Sequence, residues 1–303
     1  MSGQLAIRWV ERYLNNYLNK ITKLNKDWII AIDTDSCYID LDDIIKKLGV
    51  KDQNKIANII DRFSKEKLQP VINGAMDDLL KYMNAYEQNL FMKREVIASR
   101  AVWRAKKQYI MDIIDDEGVR LHEPKLKAMG IEVVKSSTPL VVRNSLKEAL
   151  TIMLRKEEND VIDYIETFKA KFNTLSFEEI AFPRGVNNLG KYSDAALIYG
   201  KGCPMHVRAA LLYNNLVKEN GVVEQYPLIE DGSKIKFCYL KKPNSIDENV
   251  IACINTLPEV FDLNKYIDYE TQFTKTFLDP LESLLTPMGW HAYHIADLSD
   301  FFD

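Results

Sequence analysis

No apolar run in this chain approaches the roughly 20 residues that a membrane-spanning helix needs, so no transmembrane segment is expected. The first twelve residues, M-S-G-Q-L-A-I-R-W-V-E-R, lack the continuous apolar core and small-residue cleavage site of a signal peptide. The chain is therefore expected to be soluble and to work inside a cell. Cysteine is scarce: Cys37, Cys203, Cys238 and Cys253 are the only four in 303 residues, and no two form a C-x-x-C pair. That excludes a zinc ribbon and a thioredoxin-type site and leaves free thiols in a reducing compartment. His291 and His294 stand three apart without further ligands at a suitable spacing, which is too little for a zinc site. Repeats and low-complexity tracts are absent. So is a large excess of charge: the net value of −4 does not by itself suggest nucleic-acid binding, although a DNA site needs only a local basic stripe.

What is present is enough apolar material for a core, 47% of the residues, in a chain long enough for one large domain or two ordinary ones. One basic stripe exists. Lys93, Arg94, Arg100, Arg104, Lys106 and Lys107 stand against the single acid Glu95, with Trp103 and Tyr109 interleaved, a composition suited to a nucleic-acid surface.

Helical spacing of Leu5, Ile7, Val10, Tyr13, Leu14 and Tyr17 predicts a helix over 4–18. Strands are expected at 28–32 and 37–39 around a tight turn at Thr34, Asp35 and Ser36. Residues 41–90 read as helical in two or three pieces, one over 54–68, an interruption at Pro70, and another over 71–86. Residues 91–99 and 104–114 read as strands joined by a short link and ending at a turn around 115–118. Beyond Gly130 the polar loop 135–139 hands over to helices at 139–156, 158–173 and 204–219. Ser137 or Thr138 is placed to cap the first of these, with Pro139 in its first turn. Alternation over 227–240 around Asp231-Gly232 signals a hairpin, and a last helix is expected over 269–288. The class is α+β, with a domain boundary near Gly130.

The stretch W-I-I-A-I-D-T-D-S-C-Y-I-D over 28–40 carries the chemistry. Apolar flanks pull it inward, yet a carboxylate is rarely buried without a partner or a metal. If the chain is extended there, Asp33 and Asp35 project to one face. A calcium-binding EF-hand loop starting at Asp33 fails, because its sixth and twelfth positions are Tyr38 and Ile44 rather than Gly and Glu. A phosphotransferase of the haloacid dehalogenase type also places an apolar strand before Asp-x-Asp, but the expected Gly and Thr are replaced by Ser36 and Cys37. A two-metal nucleotidyl transferase uses an Asp pair on a hairpin turn held rigid by apolar strands. A plain polar turn remains the simplest alternative.

A-I-D-T-D-S-C-Y-I resembles the Y-G-D-T-D-S motif of family B DNA polymerases. The downstream segments agree with that family in their order. Met92-Lys93-Arg94-Glu95 resembles the family's next strand, and Trp103-Arg104-Ala105-Lys106-Lys107-Gln108-Tyr109 resembles its K-K-x-Y stretch. Residues 123–132, with Ser136-Ser137-Thr138-Pro139, resemble the palm-to-thumb junction. Cys203-Pro204-Met205-His206-Val207-Arg208 and the end Leu298-Ser299-Asp300-Phe301-Phe302-Asp303 are similar to the T-even-type bacteriophage replicative group. Ala31-Ile32 replaces the family's Tyr-Gly, which removes no metal ligand. The family's exonuclease domain, first metal-binding Asp and fingers helix lie upstream of the matching region.

The resemblance implies a partial polymerase palm, an antiparallel hairpin with flanking helices, over 1–130. It implies a mostly helical thumb with a small β hairpin over 131–294 and a sliding-clamp-binding tail over 295–303. It implies Mg²⁺-dependent transfer of a deoxynucleotide, from its triphosphate, to a primer 3′ end, with Asp35 as the principal metal ligand and Asp33 nearer the primer. Lys106 and Tyr109 would meet the minor groove and primer terminus, and Lys107 a phosphate. Ser136, Ser137 and Thr138 would face primer phosphates, and Lys191, Lys201 and Arg208 duplex phosphates of the primer-template DNA. Leu298, Phe301 and Phe302 would dock on the clamp. The expected setting is the host cytoplasm, without membrane association. The polymerase is expected to be split, with this chain the C-terminal subunit and an N-terminal subunit carrying the exonuclease, fingers and other metal-binding Asp. Rival readings are a non-catalytic DNA-binding module derived from a polymerase and the Mg²⁺ phosphatase.

Overall fold

A computed structural model describes residues 2–294. The α+β class expected from the sequence is the class observed: helices mixed with small antiparallel sheets. The chain divides into two compact units, Met1–Lys127 and Ala128–Asp303.

In the first unit, α1 (Ser2–Thr22) buries Ala6, Val10, Leu14 and Leu18. These stand four apart, so they form one stripe along a 3.6-residue helix. The stripe packs with Trp28 and Ile29 and with Ile72, Ala75, Met76 and Leu79 of α4 (Gln69–Tyr82). Fully burying an aliphatic side chain of this size is worth about 1.5–3 kcal/mol, so this stripe is the main anchor of the unit. Trp28 is fully buried and its polar edge is satisfied. Its indole N–H donates to Asn19 Oδ1 (2.8 Å) and its backbone N–H to Asn15 Oδ1 (2.7 Å). Those bonds fix where the next strand starts.

β1 (Ile29–Ile32) and β2 (Cys37–Ile39) pair antiparallel with Ile32 opposite Cys37, leaving residues 33–36 as the loop. Next come α2 (Asp42–Leu48) and α3 (Gln53–Phe63), the latter capped by the Asp52 carboxylate, which accepts from Lys55 N–H at 2.7 Å.

Pro70 does not interrupt the helical run. Residues Ser64–Leu68 form a π turn, Gln69 N–H donates to Ser64 five residues back, and Pro70 sits in the first turn of α4. A proline lacks the N–H a helix interior needs and its ring clashes with the carbonyl four residues earlier. Widening the preceding turn removes both conflicts. The second unit repeats the device, with a π turn at Thr274–Leu278 before Pro280.

The larger sheet runs β3–β4–β5, with β3 (Val96–Ala105), β4 (Gln108–Asp116) and β5 (Val119–Met129). The segment expected to link two strands is itself strand: β3 continues through Ala105, which pairs with Gln108, and the turn is Lys106-Lys107. β4 is buried from Tyr109 to Asp115 because it is central. β5 is mostly exposed or half-buried, and an edge strand tolerates its Pro124.

The second unit is led by α5 (Leu140–Arg155) and α6 (Glu158–Phe172), the latter opened by a capping box between Glu157 and Asp160. Pro139 occupies the N-cap position of α5 and no side chain caps it. Ser137 and Thr138 therefore do not cap this helix as expected, since they lie one or two residues too early in the loop. A short α7 (Phe177–Ile180), β6 (Phe182–Gly185) and α8 (Leu189–Tyr192) come next. The small hairpin is β7 (Ser193–Asp194) with β8 (Ile198–Tyr199), ahead of α9 (Met205–Glu219). The Asp231-Gly232 turn leads into β9 (Lys234–Tyr239), which pairs with β6 and with β10 (Val250–Cys253) rather than closing a local hairpin. Gly232 N–H donates to Val186 O at 2.7 Å, so this turn is tied to the end of β6. α10 (Tyr269–Phe273) and α11 (Asp279–Leu285) flank the π turn. Phe168, Phe172, Phe273 and Phe277 form an aromatic cluster, with Phe168 and Phe277 centroids 4.7 Å apart. The buried Gln272 accepts from Tyr239 N–H (3.2 Å) and donates to Ile180 O (2.7 Å), so its amide costs little to enclose.

Candidate functional site

The first unit brings the tips of two hairpins together. Asp33 N–H closes the β1–β2 loop by donating to Ser36 O at 2.8 Å. This fold of the loop keeps the two acids apart in role. The Asp33 carboxylate accepts from Thr34 N–H (2.8 Å) and lies 3.4 Å from Lys107 Nζ. The Thr34 bond first, and Lys107 after it, hold the Asp33 carboxyl below the ordinary carboxylate range. Asp35 is exposed and makes no hydrogen bond or ion pair among the described residues. Of the two, Asp35 therefore offers its oxygens to an incoming cation at the lower cost, and Asp33 would first have to release a lysine. Among the described residues no three carboxylate, imidazole or thiol groups converge on a common point. Asp35 fits a metal ligand, and further ligands would have to come from elsewhere.

The β3–β4 turn supplies the cations. Lys107 takes a left-handed backbone, φ 61°, a conformation that favours Gly or Asn and costs a lysine on the order of 1 kcal/mol. The reach of its ammonium to Asp33 offsets part of that cost. Lys106 beside it is exposed. Two residues on, Tyr109 is only 5% exposed, and its hydroxyl is 3.0 Å from that of Tyr38 on β2. Trp103 packs on both rings, at 5.2 and 5.6 Å between centroids. Burial first, then the Tyr38 bond, pushes the Tyr109 phenol well above its ordinary 10.0. The Asp33–Lys107 ion pair and the Tyr38–Tyr109 phenol pair thus join the two hairpins, with Asp35 and Lys106 beside them in the chain. Tyr38 was not singled out as a site residue by sequence, and Trp103 was read as part of a nucleic-acid surface rather than as packing on the two phenols. The signal for Tyr38 was only an aromatic residue in the strand that follows the charged turn.

The basic stripe is not uniformly available. Arg94 bridges Asp61 on α3 (2.7 Å) and the buried Asp115 on β4 (2.5 Å), so it holds the sheet to a helix. Arg104 donates to Gln108 (2.8 Å). Lys93, Arg100, Lys106 and Lys107 remain exposed.

In the second unit, Ser136 and Thr138 line an open cleft with Pro139, Arg143, Asn144 and Lys236. Ser136 is exposed, Thr138 is buried, and the Ser137 carbonyl accepts from Arg184 at 2.7 Å. This last bond makes Arg184 a support of the loop that sequence reasoning missed. Lys191 is exposed and lies over Tyr192, and Lys201 is exposed in the turn before α9. Arg208 is engaged internally, hydrogen-bonded to Asn249 and Met205 and placed over Tyr199. Leu298, Phe301 and Phe302 fall outside the described residues. Among those described, no helix is long and apolar enough to cross a membrane.

No family model matches the chain. It is 35% identical, over 99% of its length, to the DNA-directed DNA polymerase of Enterobacteria phage T4. The same identity and coverage hold for the DNA-directed DNA polymerase of Escherichia phage RB69. The chain spans about 35% of the length of each of these relatives. It is thus related, almost end to end, to a part of the T-even-type family B polymerases.

Proposed function

We propose that this relative of part of the T-even-type polymerases supplies the second half of a polymerase palm and a thumb. In that role it serves nucleotidyl transfer from a deoxynucleoside triphosphate to a primer 3′ end on template DNA in the host cytoplasm. The observation that carries the reading is the meeting of the Asp33-Thr34-Asp35 loop with the Lys106-Lys107 turn. It sets an exposed, unengaged carboxylate beside exposed lysines and a clasped tyrosine pair.

Mg²⁺, when bound, would lower the pKa of the attacking 3′ hydroxyl and neutralise the leaving pyrophosphate. Asp35 would hold it from this chain. Because a single carboxylate holds Mg²⁺ weakly, the remaining carboxylates come from a partner polypeptide. Asp33 and Lys107 act together: their contact keeps the loop ionised and fixed while Lys107 faces phosphate. Lys106 would meet a primer terminus through minor-groove acceptors common to all base pairs, and Tyr109, buried with its hydroxyl on Tyr38, would act there by holding the turn in place. In the thumb, Ser136 and Ser137 offer hydroxyls and backbone N–H groups near the start of α5, Thr138 is buried with its N–H on Lys135 O and supports them from beneath, and Lys191 and Lys201 offer duplex phosphates a salt-sensitive grip. Arg208 joins them only by leaving its internal partners. The segment with Leu298, Phe301 and Phe302 is the clamp contact, since apolar anchors so close together suit a pocket on another protein.

The test is primer extension with Mg²⁺ and the four deoxynucleotides. The chain alone extends nothing, and adding the polypeptide that carries the counterpart of the relatives' unmatched length starts synthesis. A band shift without synthesis in the mixture would favour the DNA-binding module, and hydrolysis of a simple phosphate ester by the chain alone would favour the phosphatase. Extension by the chain alone would refute the shared site.

A further inference from the structure

A group of large apolar side chains in the first unit has nothing covering it among the described residues. Tyr82, Met83, Tyr86, Leu90 and Phe91 all fall within ten residues and are 68%, 51%, 108%, 49% and 85% exposed. A soluble surface seldom gathers so much apolar material without a use for it. The backbone explains why they form one surface. α4 ends at Tyr82, and backbone bonds from Met83 to Leu79 and from Ala85 to Leu80 close its last turn. The chain then returns along the helix, because Met92 O accepts from Gln69 Nε2, at the start of α4, at 2.7 Å. Fourteen helical residues span about 20 Å, which the ten residues from 83 to 92 cover in extended form. Their side chains therefore lie as a strap along α4. At the α4 C-terminus the strap meets α1, where the Tyr82 ring lies 5.0 Å from that of Trp9, itself covered by the Arg12 guanidinium.

This surface is close to the carboxylate loop. A side-chain carbon at Gly3 would sit 3.7 Å from Thr34 O, so the first turn of α1 touches the loop that carries Asp33 and Asp35. Trp9 lies six residues further along α1, about 9 Å away. A body seated at the Tyr82 end of the strap is thus within one or two helical turns of the place where Asp35 needs companion ligands, while the Leu90-Phe91 end runs away from it toward the start of α4.

We propose that the surface of Trp9, Tyr82, Met83, Tyr86, Leu90 and Phe91 docks the partner polypeptide that supplies the remaining metal-site carboxylates. This rests on the proposed function. Two further observations support that occupant over another. The relatives carry nearly twice as much polypeptide again as this chain matches. In addition, the Tyr82 end of the surface lies near the loop that carries Asp35. The occupant's own face is apolar, with carboxylates at the edge toward α1.

The test uses the full chain with Tyr86→Ser and Phe91→Ser combined. Both side chains are exposed, so folding is unaffected, and circular dichroism and thermal melting check this. Binding to the polypeptide that carries the counterpart of the relatives' unmatched length is measured by surface plasmon resonance, and primer extension is followed as its concentration is raised. The double variant is expected to bind at least tenfold more weakly, because exposed aromatics of this kind dominate interfaces. Its extension rate is expected to return to that of the unaltered chain at saturating partner. Asp35→Asn is expected to bind normally and extend nothing. Unchanged affinity in the double variant overturns the docking surface while leaving the shared site standing if the mixture extends primers. Tight binding lost in the double variant, with no extension by the unaltered mixture, upholds the surface and removes the polymerase reading. Failure of the unaltered chain to bind, or self-association that the double variant abolishes, overturns the proposal.

Discussion

Replacing Tyr38 with Phe isolates the contact that joins the two hairpin tips. The substitution removes one hydroxyl and no packing volume. Tyr109, only 5% exposed, then keeps a phenol whose partner, 3.0 Å away, has gone. A buried polar group left without its partner costs about 1–1.5 kcal/mol. Tyr109→Phe leaves the other phenol on Tyr38, which is half-buried and can turn to water, so that loss is about 0.5–1 kcal/mol. Once one hydroxyl is absent, removing the second costs little. The double variant is therefore expected to lose about 1 kcal/mol rather than the full sum of roughly 1.5–2.5 kcal/mol, a coupling of roughly 0.5–1.5 kcal/mol. Urea unfolding followed by tryptophan fluorescence suits the measurement, since Trp103 packs on both rings. The pH dependence adds a second readout. The Tyr109 phenol is raised above 10.0 in the folded state by burial and by Tyr38. The unfolded chain therefore gives up its proton first. Stability from this group is complete below pH 10 and declines as pH rises through the higher folded value. Losses that add to within about 0.3 kcal/mol would refute the clasp.

The same unit supports other expectations. Arg94→Met leaves Asp115, 2% exposed, without its closest cation and is expected to cost about 3 kcal/mol, read as a lower urea midpoint with an unchanged slope. Lys107→Met removes one of the two influences that keep the Asp33 carboxyl low. Its carboxyl carbon signal is expected to titrate at higher pH, with Thr34 N–H preserving part of the depression. In the unaltered chain the contribution of Asp33 is present above its ordinary 3.8 and is lost as pH falls through the lower folded value.

The elements whose apolar residues recur locally were legible in the sequence. The stripe Val10, Leu14 and Leu18 marks α1, and the flanks of Asp33 and Asp35 mark β1 and β2. What escaped depends on partners far along the chain. β5 sets Glu123, Lys125 and Lys127 on one face and breaks its apolar residues with Arg120, His122 and Pro124, a mixed pattern that an edge strand tolerates. Pro70 read as a break because the π turn that accommodates it leaves no mark in composition. The Lys106-Lys107 turn was hidden by its chemistry. Two lysines do not look like a hairpin turn; the pairing of β3 with β4 sets it, and an aspartate some seventy residues earlier offsets part of the strain at Lys107. In the candidate site the acids and lysines stood out as residue types. Their assembly into one group did not, since the Tyr38–Tyr109 contact spans 71 positions.

The central claim is that this chain supplies one wall of a divalent-metal site and another polypeptide the rest. Counting bound Mn²⁺ by electron paramagnetic resonance tests it most directly. The account expects no tightly held ion on the isolated chain. It expects two per complex when partner, primer-template and deoxynucleotide are present, with binding lost in Asp35→Asn. Two ions held tightly by the isolated chain would contradict it.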